Sequence, residues 1–217
     1  MTRRACFGVL LAAGLVSVAP PLAAQHARLF PPENLGLLEG PDRDAFQRPD
    51  QIMDALQIGE NSVVADLGAG GGWFTVRLAR RVTNGRVYAE DIQPQMIQAI
   101  ERRVKREELT NVIVVLGTAT DLKIPAGTLD AVLIVDTYHE MDQPVVLLRN
   151  VARSLKPTGL IGIVNYNKDG AGPGPDMDER VDAEQVIRDA RAAGLELKKR
   201  ENFLRYQYLL TFGVAPK

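Results

Sequence analysis

The feature that most constrains this chain is Asp66-Leu67-Gly68-Ala69-Gly70-Gly71-Gly72, placed between an apolar stretch at 62–67 (SVVADL) and a helical pattern at 73–82. Glycine is demanded at such a strand-to-helix turn because the turn is tight and a ligand approaches the backbone closely. Two nucleotide sites are ruled out at once. A phosphate-cradling P-loop needs Gly-Lys-Ser/Thr before the helix, and none is present. The dinucleotide pattern GxGxxG, begun at Gly68, needs glycine at 73, where Trp73 stands. What remains is GxGxG preceded by the carboxylate of Asp66. Trp73 blocks the close helix packing that seats a pyrophosphate; a cofactor without phosphate does not need it.

From the loop onward strands and helices alternate. Strands are expected at 86–91, 112–116, 129–135 and 160–165, with helices at 94–109 and 144–155 between them. Met96, Ile97, Ile100 and Val104 share one helical face, and Lys156-Pro157-Thr158-Gly159 stops the second helix. A helix at 49–56 precedes the first strand, Pro49 fitting its first turn and Gly59 closing it. Residues 170–175 (GAGPGP) read as a flexible or kinked loop. Asp182 with Gln185 resembles a capping box for a helix to about Ala193, and strand-like stretches at 196–201 and 206–214 finish the sheet as an antiparallel pair. Strands apolar on both faces, alternating with helices, predict a doubly wound α/β fold with helices on both sides of a mostly parallel sheet.

The organisation expected is therefore an export signal at 1–24, an irregular lead-in or lid at 25–49, and one domain at 50–217. Arg3 and Arg4 start the signal, residues 7–19 are apolar, Pro20-Pro21 break the helix, and Leu22-Ala23-Ala24 form the cleavage site. That layout predicts a periplasmic or secreted protein without stable membrane insertion, since the apolar run is shorter than the about 20 residues a spanning helix needs. The only cysteine, Cys6, falls inside the signal, and the only histidines are His26 and His139, so neither disulfides nor a metal site is expected. A formal charge of −1, with no basic excess, argues against nucleic acid as a partner. Nothing in the sequence sets an oligomeric state.

A second element, Glu90-Asp91, ends the second strand about 20 residues after the loop, where an acid can accept hydrogen bonds from both ribose hydroxyls. Asp91 is chosen over Glu90, because successive strand residues face opposite ways. Residues 63–72 (VVADLGAGGG) resemble motif I of class I S-adenosylmethionine-dependent methyltransferases. Residues 88–92 (YAEDI) look like their acidic second motif, and 155–159 (LKPTG) like the turn before their fifth strand. The resemblance implies a seven-stranded sheet with the last strand antiparallel, and S-adenosyl-L-methionine as cofactor. It implies that Asp66, Gly68, Ala69, Gly70 and Gly72 hold the amino-acid part and Asp91, beside Ile92, the ribose. Thr118 and Ala119 would flank the adenine, with Asp136 at the end of the fourth strand completing the cofactor site. Many relatives carry an acid where Thr118 stands; here Asp121 or a backbone carbonyl replaces it, or adenine is held less tightly.

On the acceptor side, the fourth strand ends in Asp136-Thr137-Tyr138-His139-Glu140 and the fifth in Asn165-Tyr166. His139 is the candidate general base, with Glu140 orienting it or acting alone. Tyr138 and Tyr166 would line the acceptor pocket, together with Arg43 and Phe46 from a lid that many class I enzymes build before the first helix. The function expected is methyl transfer to a small molecule. The alternatives are a non-catalytic S-adenosylmethionine-binding protein and, disfavoured by Trp73, an NAD-dependent oxidoreductase.

Overall fold

The computed structural model of the protein describes residues 29–170 and 172–216; the expected export signal lies outside them. Strands β1 (Val63–Leu67), β2 (Arg86–Asp91), β3 (Val112–Leu116), β4 (Leu129–Val135), β5 (Leu155–Tyr166), β6 (Leu195–Glu201) and β7 (Gln207–Val214) form one sheet. Helices α1 (Arg43–Gln47), α2 (Pro49–Ala55), α3 (Trp73–Arg81), α4 (Pro94–Arg106), α5 (Pro144–Ser154) and α6 (Ala183–Ala192) accompany it.

Two cores, one on each face, follow from the two-residue period of a strand. In β4, Ala131, Leu133 and Val135 join α2 and α3 through Ile52, Phe74 and Leu78. The alternate residues Val132 and Ile134 join α5 and α6 through Leu148, Val151 and Val186. Each such aliphatic side chain stabilises the fold by about 1.5–3 kcal/mol when fully buried, and β4 is buried on both sides.

The strand order is β3-β2-β1-β4-β5-β7-β6, with β7 antiparallel to both of its neighbours and the other pairs parallel. Successive connections from β1 run outward to β2 and β3; β4 returns to the opposite side of β1. The chain therefore parts above the ends of β1 and β4, where open α/β sheets bind ligands. The glycine loop and the segment after β4 face each other there.

Several local expectations change. β5 begins at Leu155, directly after α5, and pairing with β4 skips from Leu129↔Leu155 to Ala131↔Leu160, so the Lys-Pro-Thr-Gly segment is an irregularity within the strand. Helix α4 ends at Arg106. Asp182 caps α6 by accepting the Glu184 N–H at 2.8 Å, whereas the Gln185 amide donates to Asp189, so no reciprocal box closes. The lead-in is not irregular throughout: it holds a 3-10 helix, Pro32–Glu39, and α1, which turns through left-handed Arg48 (φ 47°) into α2. Among the described residues no helix is long and apolar enough to cross a membrane.

Candidate active site

Gly68 has φ +70°, and a β-carbon on it would stand 2.2 Å from the Thr137 side chain. Only glycine lets the two loops meet this closely, and the Thr137 hydroxyl donates to the Gly68 carbonyl at 3.2 Å. Beneath them Asp66 is buried and accepts the Thr75 hydroxyl at 2.6 Å; burial outweighs that bond and pushes its carboxyl up to about 6. At the end of β2, Asp91 accepts the Gly70 N–H through one oxygen and the Gln93 N–H through the other, each at 2.9 Å. Burial still raises its pKa above the usual carboxylate range.

These groups line a cavity of about 1170 Å³. Every residue predicted for the cofactor except Gly72 lines it, and every residue predicted for the acceptor side except Tyr138. Gly72 instead begins α3 with φ +77° and faces Ile100 and Arg103 of α4, shaping the loop from behind. Tyr138 is a correction. It is 3% exposed and its hydroxyl donates to Asp189 of α6 at 2.8 Å. The short 3-10 turn Tyr138–Glu140 sends Tyr138 into the core and its two successors to the cavity.

The expected partnership of His139 and Glu140 is also corrected. Nε2 of His139 is 3.9 Å from Glu140 Oε1, too far for a hydrogen bond, while Glu140 Oε2 accepts the Phe30 N–H at 3.0 Å. Glu140 anchors the N-terminal segment, and burial pushes its carboxyl up to about 7. Burial lowers the His139 pKa, with Asp136 opposing. Asp136 adopts φ +54° and is held by two amides, Gln207 at 2.7 Å and Gln47 at 3.1 Å. Burial raises its pKa against the pull of Arg43.

Near the expected adenine position, Asp121 faces solvent and pairs with Lys123 at 2.8 Å, so it does not substitute for the missing acid. The acid beside residues 117–119 is Glu90, whose Oε1 lies 1.7 Å from where a β-carbon on Gly117 would stand. Glu90 lines the cavity together with Asp91, because the enclosure wraps around both faces of the strand end. Burial first, then Asp91, push its carboxyl up to about 8.

Two further elements enclose the space. The segment 29–42 crosses the mouth: its Phe30 carbonyl accepts the Gln93 amide at 3.1 Å, Glu39 pairs with Arg103, and Leu35 packs 3.3 Å from the β-carbon position of Gly71. The glycine–proline loop forms the opposite wall. Arg180 closes its base by donating to the carbonyls of Asn167 at 2.9 Å and Pro175 at 3.0 Å. Gly174 (φ +144°) lies so near the Tyr166 ring that a β-carbon would approach it to 2.8 Å. The loop sits on an aromatic base, which its composition alone did not show. Among the described residues no group of three His, Cys, Asp or Glu could hold a metal ion.

Residues 64–159 match the family model described as a methyltransferase domain. An uncharacterized methyltransferase of Mycobacterium tuberculosis is 34% identical over 121 residues, 56% of this chain and 46% of that protein. The (S)-coclaurine N-methyltransferase of Thalictrum flavum is 32% identical over 108 residues, 50% of this chain and 30% of that enzyme. The chain thus spans less than half the length of these relatives. A solved structure of a SAM-dependent methyltransferase from Aquifex aeolicus superposes with a TM-score of 0.81 at 25% identity, covering 85% of this chain and 98% of that one. Residues 64–159 therefore form a methyltransferase domain, and the chain around them has the fold of the class I, S-adenosylmethionine-dependent methyltransferases.

Proposed function

We propose that the protein transfers a methyl group from S-adenosyl-L-methionine to a small-molecule acceptor held beside His139. The observation that carries this is the continuity of the cavity. One enclosure runs from Asp91, Thr118 and Ala119 past the glycine loop to His139 and Tyr166. The chemistry of the donors fits the cofactor. Each Asp91 oxygen accepts one N–H and keeps a lone pair for a ribose hydroxyl. Asp66, Asp91 and Asp136 give the wall an acidic character suited to a cationic ligand without phosphate.

When bound, the cofactor supplies a methyl group on a cationic sulfur with a good leaving group, so positioning accounts for much of the rate. Phe46 and Tyr166 give the acceptor side apolar surface. His139 is kept neutral near pH 7 by burial, the form that accepts a proton from a hydroxyl or amine acceptor. Calorimetry with S-adenosylhomocysteine, followed by a labelled-methyl screen over candidate metabolites, tests the assignment. Binding of NAD in place of S-adenosylhomocysteine would sink it.

Export is part of the same reading. Arg3, Arg4, the apolar run at 7–19 and Leu22-Ala23-Ala24 support a mature chain beginning at Gln25, outside the cytoplasm. Mass spectrometry of fractionated cells tests it; an intact N-terminus in the cytosol would refute it.

A further inference from the structure

Of the described residues that line the cavity, only Arg43 carries a permanent positive charge. It is half-buried, which lowers its pKa, and Asp136, Tyr166 and Asp66 pull the other way. Neither acid is hydrogen-bonded to it. Asp66 takes the Thr75 hydroxyl, and Asp136 takes the amides of Gln47 and Gln207. The guanidinium itself donates Nε to Gln47 Oε1 and Nη1 to the Leu38 carbonyl, and neither bond uses Nη2. A partly desolvated guanidinium with donors to spare matches a carboxylate, which it can grip through two parallel N–H groups.

Arg43 also stands over the face of Trp73. Its guanidinium carbon lies 4.2 Å from the indole centroid, and that of Arg77 lies 3.4 Å from the same ring. Arg77 is bound in turn to Asp44 at 2.7 and 2.9 Å and to the Trp73 carbonyl at 2.9 Å, tying α1 to α3. The ring face attracts the cation without neutralising it, so Arg43 is held in place with its charge still available.

We propose that Arg43 binds the α-carboxylate at the amino-acid end of the cofactor and that Trp73 is the residue that positions it. This rests on the cofactor reading above and moves Arg43 away from the acceptor, where the sequence placed it. The charges decide the direction. Asp91 and residues 118–119 occupy the nucleoside end, Arg43 stands at the other end near Asp66, and the cofactor has a single anionic group. Trp73, whose bulk excludes a pyrophosphate, has a positive use in the same site.

Two ligands separate this from a packing role. S-adenosylhomocysteine and 5′-methylthioadenosine share the nucleoside and thioether sulfur, but only the first carries the amino-acid group. Arg43→Met should weaken S-adenosylhomocysteine about 10–100-fold in calorimetry, the loss expected for a charge-assisted pair, and change 5′-methylthioadenosine less than about 2-fold. Trp73→Leu should show the same selectivity at about 3–10-fold, and Trp73→Phe, which keeps a ring, should restore most of it. Arg43→Lys keeps the charge without the fork and should fall between wild type and Arg43→Met, which keeps the test open if Trp73→Leu does not fold. Equal losses for both ligands, or unchanged S-adenosylhomocysteine affinity in Arg43→Met, would overturn the proposal. A wild-type protein that binds neither ligand would overturn the cofactor reading and this inference with it.

Discussion

Replacing Glu90 by glutamine should stabilise the ligand-free protein, and increasingly so as the solution becomes alkaline. The Glu90 side chain is 2% exposed, packed against the Gly117 backbone and close to Asp91 and Asp66. Its carboxyl titrates at about 8 in the fold against an ordinary 4.5. At about 1.4 kcal/mol per tenfold in proton affinity, keeping the ionised form buried costs on the order of 4–5 kcal/mol. The sign follows from the raised value. The unfolded chain releases this proton first, so the penalty is absent below pH 4.5, grows with pH and is complete above about 8. Roughly 2–3 kcal/mol of it falls between pH 6 and 9. For a chain of this size that corresponds to roughly 5–10 °C in melting temperature. Thermal melts of the wild type and Glu90→Gln across that range measure it directly, the amide oxygen still being able to accept a backbone N–H. Curves that fall in parallel would refute the reasoning, because Glu90 would then be ionising in water.

Asp91→Ala should weaken S-adenosylhomocysteine binding by about 1–3 kcal/mol, since both a ribose acceptor and the bond that holds Gly70 are lost; unchanged calorimetric affinity in a folded variant removes Asp91 from the site. His139→Ala should keep that affinity and lower turnover about 10²–10⁴-fold. In the wild type the rate should fall on the acid side with a midpoint below 6.5, the direction in which burial moves the imidazole; a loss of only a few fold would mean that no base is used. Tyr138→Phe breaks the 2.8 Å bond to Asp189 and should cost about 1 kcal/mol of stability in denaturant titration. Any change in its ligand affinity would return Tyr138 to the cavity.

What the sequence disclosed and what it hid divide along a physical line. The run at 129–135 read as a strand, because residues of a doubly covered sheet are apolar wherever they point, whereas the run at 112–116 is just as apolar although it forms the half-exposed edge strand β3. The glycine loop read as a binding turn, because its backbone demand is written in residue type. Within the expected lead-in or lid at 25–49 the helical pieces were hidden: the 3-10 helix Pro32–Glu39 and the five-residue α1 are too short to impose a period. Glu90 was discarded by strict alternation, a rule that weakens where a strand ends inside a cavity. Tyr138 and His139 are neighbours in sequence, and only the turn that carries them separates core from cavity. Gln47, Gln207 and Asp136 come from three distant segments, and no local pattern announces that their side chains meet.

The N-terminal segment has a kinetic consequence. It is fastened to Glu140 after β4, to Gln93 after β2 and to Arg103 on α4, three places that no single small shift releases together. On the proposed function, a ligand beneath it would leave only after those fastenings part. Residence time would then be governed by the rupture of the strap, and equilibrium affinity by the groups underneath. Substrate cofactor and spent product, which differ by one methyl group and one charge, would then dissociate at similar rates even where their affinities differ, and the slow step of a turnover cycle would belong to residues that never touch the transferred carbon.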